Sequence, residues 1–244
     1  AGLLESTGEN AGDGWDVKDV ESGTLPDQMA ALASIEPTGD VLDGVELALG
    51  LETTIGQPVG EERMAMLDIE SIHKPCITKG GPETVYCVDK VSWPFELEED
   101  FLVDTIMYQG TRAIGRYDAG SATRFHALFR SEALPRVLKY YTDRYGPPTE
   151  TVERAIAPLA QPRRDNPTYI WRSREPGTDS ITVLEIRQFD DARGGGFPDT
   201  KRAPILLYPQ HAGSIFPQLS QLELLVLQPS GAMDMQPKTP ESVW

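Results

Sequence analysis

Cys76 and Cys87 are the only cysteines of this chain, and ten residues separate them. The intervening Lys79, Gly80, Gly81 and Pro82 form a strong turn signal. Strand-like flanks meeting across such a turn bring the two sulfurs together. Closing a loop this short stabilises a fold by roughly 2–3 kcal/mol in the chain-entropy view. A disulfide of this kind belongs to an oxidising compartment, so the spacing predicts a periplasmic or secreted protein. His73 and Asp89 flank the pair with zinc-type donors. Their spacing, His-x2-Cys-x10-Cys-x-Asp, is not that of a zinc ribbon, and no metal site is expected there.

The densest acidic run is Glu96, Glu98, Glu99, Asp100 and Asp104. Glu96, Glu98, Glu99 and Asp100 are candidate cation ligands, with Ca²⁺ the ion that carboxylates suit, although the run lacks the loop pattern of a hand-type site. A solvated acidic edge is the plainer reading of the same residues. Arginine outnumbers lysine 14 to 3 after residue 105. Arg163, Arg164, Arg172 and Arg174 can grip carboxylates through two hydrogen bonds each, either on a partner or on this chain's own acids. Together with Trp15 they are the candidate partner contacts. His126 lies between Arg124 and Arg130 and reads as a surface or packing residue, and His211 as a loop residue. No nucleophile elbow, Walker loop, dinucleotide fingerprint or His-Glu-x-x-His occurs, and Gly194 to Gly196 reads as a loop. No catalytic residue or cofactor is assigned.

The charge that surrounds these groups is lopsided. The 244 residues carry a net charge of −16; residues 1–104 hold 23 acids against 5 bases, and residues 105–244 hold 15 against 17. An acidic half repels phosphate, which disfavours nucleic acid as a partner. The longest candidate span, Leu222 to Leu227 with Glu223 inside it, is far short of the ~20 residues of a membrane helix. The opening Ala1, Gly2, Leu3 and Leu4 read as the remnant of a cleaved leader.

Three regions must position these residues. Residues 1–60 combine acids with frequent Gly and Pro and read as an extended acidic arm; Met29 to Ala33 could make two helical turns. Residues 61–227 read as a domain carrying the clipped segment 76–87, and residues 228–244 as a tail. Within the domain, 61–72 suggests a helix, and 101–109 and 112–117 suggest a strand pair. Leu134, Val137, Leu138, Tyr141 and Tyr145 fall on one helical stripe that Ser131 could cap, with Arg136, Lys139 and Asp143 opposite. Segments 168–171, 180–189 and 204–208 suggest further strands; 215–227 could be a strand or a short helix. The expected fold class is α+β: an antiparallel sheet with one long amphipathic helix packed on a face, and extended terminal arms.

The helix ending in Tyr145, Gly146, Pro147 and Pro148, followed by a strand carrying Trp171, resembles the small periplasmic α+β modules of BamE/SmpA-like style over about residues 101–190. That resemblance implies a binding or assembly part, with no functional residue carried over. The function expected is therefore a non-catalytic accessory subunit of a bacterial envelope or extracellular assembly, docking a protein partner through its acidic and terminal arms. A soluble periplasmic ligand-binding protein, or less so an enzyme, is the alternative.

Overall fold

Strands dominate the described chain, and they assemble into one large sheet. The computed structural model describes residues 36–60, 75–102, 111–193 and 197–227. Its strands are β1 (Leu42–Asp43), β2 (Cys76–Thr78), β3 (Thr84–Lys90), β4 (Arg112–Asp118), β5 (Ser121–Arg130), β6 (Glu150–Ile156), β7 (Arg164–Arg174), β8 (Ile181–Arg187) and β9 (Arg202–Pro209). The sheet order is β1-β7-β8-β9-β5-β4-β3-β2, with β6 also on β7. Two antiparallel meanders, β2 to β5 and β6 to β9, are thus joined where β5 pairs with β9. Only β1 runs parallel to its neighbour, which makes the sheet mixed.

This architecture corrects the expected α+β class. The protein is chiefly a nine-stranded mixed sheet, and helix is a minor component of the described residues. The reason lies in strands whose pattern hides their period. In β5, residues Phe125 to Phe129 are all buried, because both sheet faces are covered at that point. The alternation that marks a half-exposed strand is therefore lost. In β6, only Ile156 is buried, so the strand carries almost no apolar signal.

Register decides which side chains share a face. Trp171, Leu184, Leu207, Phe125, Gly115, Cys87 and Cys76 align across successive strands. Cys76 and Cys87 sit directly opposite one another and are disulfide-bonded, with Cα atoms 4.1 Å apart. The other face carries Tyr86, Val88, Ile114, His126 and Leu128 at one end, and Glu185, Arg187 and Tyr208 at the other.

The first face is covered by α1 (Leu134–Tyr145), entered through a 3-10 turn, Ser131–Ala133. Its buried stripe is Leu134, Val137, Leu138 and Tyr141. Burying each of these contributes roughly 1.5–3 kcal/mol. Pro135 sits in the first turn, where the absent N–H is harmless. Ser131 does not cap the helix; its hydroxyl donates to the Thr200 carbonyl instead. Gly146 ends it with φ +81°, and the Trp171 indole N–H donates to the Gly146 carbonyl at 2.9 Å. That bond ties the helix end to β7.

Leu47, Ala48 and Leu49, in the stretch read from sequence as an arm, are buried beside α1. The Tyr141 and Tyr145 hydroxyls accept the Gly50 and Ala48 amides, and Arg144 donates to the Gly50 and Leu51 carbonyls. On the opposite face lies α2 (Gln221–Val226), which opens with a capping box between Ser220 and Glu223. Leu224 and Leu227, with Ile215, Phe216 and Leu219, pack on Tyr86, Val88, Ile114 and Leu128. The two helices therefore cover opposite faces at opposite ends of the sheet.

Candidate functional site

Two places present unusual chemistry, and the first is the loop between β3 and β4. Trp93 stacks on Phe101 with ring centroids 3.4 Å apart and planes inclined by 11°. Phe101 in turn meets Phe129 of β5 at 5.4 Å. Leu97 is buried between them in sequence, and Asp100 is held by Arg136 of α1 through bonds of 2.5 and 2.9 Å. The loop backbone closes on itself, with the Leu97 amide donating to the Pro94 carbonyl at 2.9 Å and the Asp100 amide to the Leu97 carbonyl at 3.0 Å. These anchors hold Phe95 outward, and it is 91% exposed. Glu96, Glu98 and Glu99 surround it in sequence and are exposed too. Leu51, whose amide donates to the Ser92 carbonyl, and Leu102 at the loop's end add exposed apolar surface.

Of the four residues expected as cation ligands, three face solvent and the fourth, Asp100, is committed to Arg136. Among the described residues no group of three or more His, Cys, Asp or Glu is placed to hold a metal ion.

The second place is the end of the sheet face away from α2. Glu185 on β8 is 3% exposed and accepts from the Tyr208 hydroxyl at 2.5 Å, from Arg187 at 2.7 Å and from Arg154 at 3.4 Å. Arg187 also pairs with Asp191 at 2.5 Å. The Arg124 guanidinium lies 4.0 Å over the Tyr208 ring. Beside this group His126 is buried, its Nε2 3.9 Å from Asp190, which in turn is bonded by Arg193.

The electrostatics of this network favour fixed charge over proton transfer. Burial pushes the Glu185 carboxyl up, but Arg187, Tyr208 and Arg154 outweigh it, and its pKa lies below the ordinary value. Burial and the adjacent Glu185 push the Tyr208 phenol up. Burial, with Arg193, Arg187 and Arg124 adding, pushes His126 down to about 3. All three move away from neutrality, whereas a general acid or base works best with a pKa near the operating pH. Asp190 moves the other way, raised by burial against the pull of Arg193.

A cleft of about 390 Å³ lies on the α1 face, between residues 44–47 and 54–56 and the ends of β7 to β9. Its polar lining includes Glu46, Glu175, Ser173 and Thr182.

The structure separates the remaining residues singled out by sequence. Arg172 pairs with Glu150 on β6 at 2.9 Å, and Arg174 with Asp43 on β1 at 3.3 Å, so both hold strands of the same sheet together. Arg164 lies 5.3 Å over the Phe189 ring, and Arg163 is exposed just before β7. His211 is exposed in the turn after β9. Trp15, His73, Met29 to Ala33, the segment 61–72, residues 103–109 and the tail 228–244 lie outside the described residues. Comparison with protein-family models, characterised proteins and solved structures finds no match for this chain.

Sequence reasoning noted the acids around Phe95 but not the phenylalanine itself. The signal was present, since Trp93 and Pro94 precede it and Leu97 and Phe101 follow at spacings that bury them. The Arg124, Glu185 and Tyr208 group left no such signal. Its members come from three strands and meet only through the register of β5, β9 and β8.

Proposed function

We propose that this chain is a non-catalytic interaction subunit of a periplasmic or secreted assembly, and that it docks a basic protein partner through the Phe95 loop. The observation that carries this reading is Phe95 itself, 91% exposed on a loop whose neighbours Trp93, Leu97 and Phe101 are buried. An aromatic side chain held rigidly outward loses little entropy on binding, and such residues supply a large share of interface energy. The exposed Glu96, Glu98 and Glu99 supply the charge that selects a basic rim on the partner. The excess of 23 acids over 5 bases in residues 1–104 extends that attraction, and the terminal arms add to the docking surface. The buried Cys76–Cys87 disulfide supports an oxidising compartment.

Small-ligand binding is the second reading, favoured by the cleft of about 390 Å³. The experiment is photocrosslinking in the source cell, with a photoreactive phenylalanine analogue at position 95 and a control at Leu159, an exposed apolar residue outside the loop. Docking gives one discrete heterologous adduct at position 95, lost when Glu98 and Glu99 are changed to lysine and absent from the control. No adduct, or the same adduct from both positions, removes the reading.

A further inference from the structure

Arg124 is half-buried on β5, and its Nε is buried with no hydrogen-bond acceptor. The other arginines on this part of the sheet are compensated. Arg116 bonds Asp118 through Nε at 2.9 Å, and Arg187 bonds both Glu185 and Asp191. Arg154 shares Glu185. No carboxylate among the described residues lies within ion-pair distance of Arg124. Its direct cross-strand neighbour on β4 is Arg116, a like charge. The contact it does make is the flat one, 4.0 Å over Tyr208, which fixes the plane of the guanidinium. The Tyr208 hydroxyl is already given to Glu185. Burial lowers the Arg124 pKa against Tyr208 and Glu185, with Arg187 and Arg116 adding to the fall.

A partly desolvated guanidinium with a fixed plane and no ion-pair partner among the described residues is an anion site awaiting its anion. The count of charges narrows the class. Arg116 and Asp118 cancel, as do Arg187 and Arg154 against Glu185 and Asp191, so Arg124 leaves a single positive charge. We propose that Arg124, on its Tyr208 platform, binds the carboxylate group of a small monoanionic ligand. A phosphate dianion would meet the ionised Glu185 with one negative charge in excess. The site is separate from the Phe95 loop and stands or falls independently of it.

The test is a side-chain ¹⁵N–¹H NMR titration of the full chain, following the Arg124 Nε–H signal, which is assigned by its loss in Arg124→Lys. Acetate, inorganic phosphate and chloride are compared at constant ionic strength and pH. The proposal expects a saturable shift with acetate, at least several-fold weaker saturation with phosphate, and none with chloride. Arg124→Lys keeps the charge but loses the fork. In that variant the backbone shifts that acetate causes around Tyr208 should weaken at least several-fold while the rest of the spectrum stays native. Linear shifts of equal size for all three anions overturn the proposal. So do acetate-induced shifts around Tyr208 that persist unchanged in Arg124→Lys. Preferential saturation by phosphate overturns the assignment to carboxylate.

Discussion

The Tyr141 hydroxyl accepts the Gly50 amide at 3.1 Å, across 91 residues of sequence. This bond joins α1 to the buried segment around Leu47 to Leu49. Changing Tyr141 to Phe keeps the ring and strands a buried N–H, a loss of about 1–3 kcal/mol. Gly50 has φ +64°, and a Cβ there would lie 2.3 Å from the Ser92 carbonyl oxygen. Gly50→Ala adds left-handed strain of roughly 1–2 kcal/mol to that clash. Urea unfolding of both variants checks the pair; wild-type midpoints would show the segment to be loosely attached.

Leu138 is fully buried in the α1 stripe. Leu138→Ala is expected to destabilise by roughly 2–5 kcal/mol, the usual range for an emptied leucine site. A loss below about 1 kcal/mol would contradict the packing of α1 on the Trp171 face.

The pH dependence follows from His126. Its pKa falls from 6.5 to about 3 on folding. Between those values the unfolded chain binds a proton that the native chain refuses. Stability contributed by His126 is therefore present above pH 6.5 and is lost as pH falls toward 3, by up to about 1.4 kcal/mol per pH unit. Asp190, raised by burial, titrates in the opposing sense. Unfolding free energies of wild type and His126→Gln at pH 7, 6 and 5 isolate the histidine. The variant should gain on wild type with each step down; a constant difference would contradict the assignment.

The disulfide makes a redox prediction. Thiol labelling of the native protein without reductant should find neither Cys76 nor Cys87 reactive, as both are buried and bonded. Replacing both with Ala should lower stability by roughly 2–3 kcal/mol. Two labelled thiols would contradict the bonded pair and the compartment it supports.

How far the sequence could be read depends on how many faces each element buries. The α1 stripe was legible because one side of the helix is solvated, so Arg136, Lys139 and Asp143 mark it out. The disulfide was legible because a turn between two cysteines is a local feature. The sheet was not, since Phe125 to Phe129 of β5 are buried on both faces and β6 buries only Ile156. The acidic run around Phe95 was visible as charge. Its use as a collar round an exposed aromatic depends on the Trp93–Phe101 stack, which is a tertiary fact. The Arg124 site depends on three strands in register, information no local pattern holds.

Native mass spectrometry of the complex purified from its source, at low salt and without reductant, tests the docking role most directly. The account predicts a species heavier than this chain by one or more different polypeptides. Phe95→Ala, or 0.5 M salt applied before transfer to the spray buffer, should release the chain, because apolar insertion and screened charge attraction hold it there. A chain found alone or only with copies of itself, or a complex indifferent to Phe95, would contradict the account.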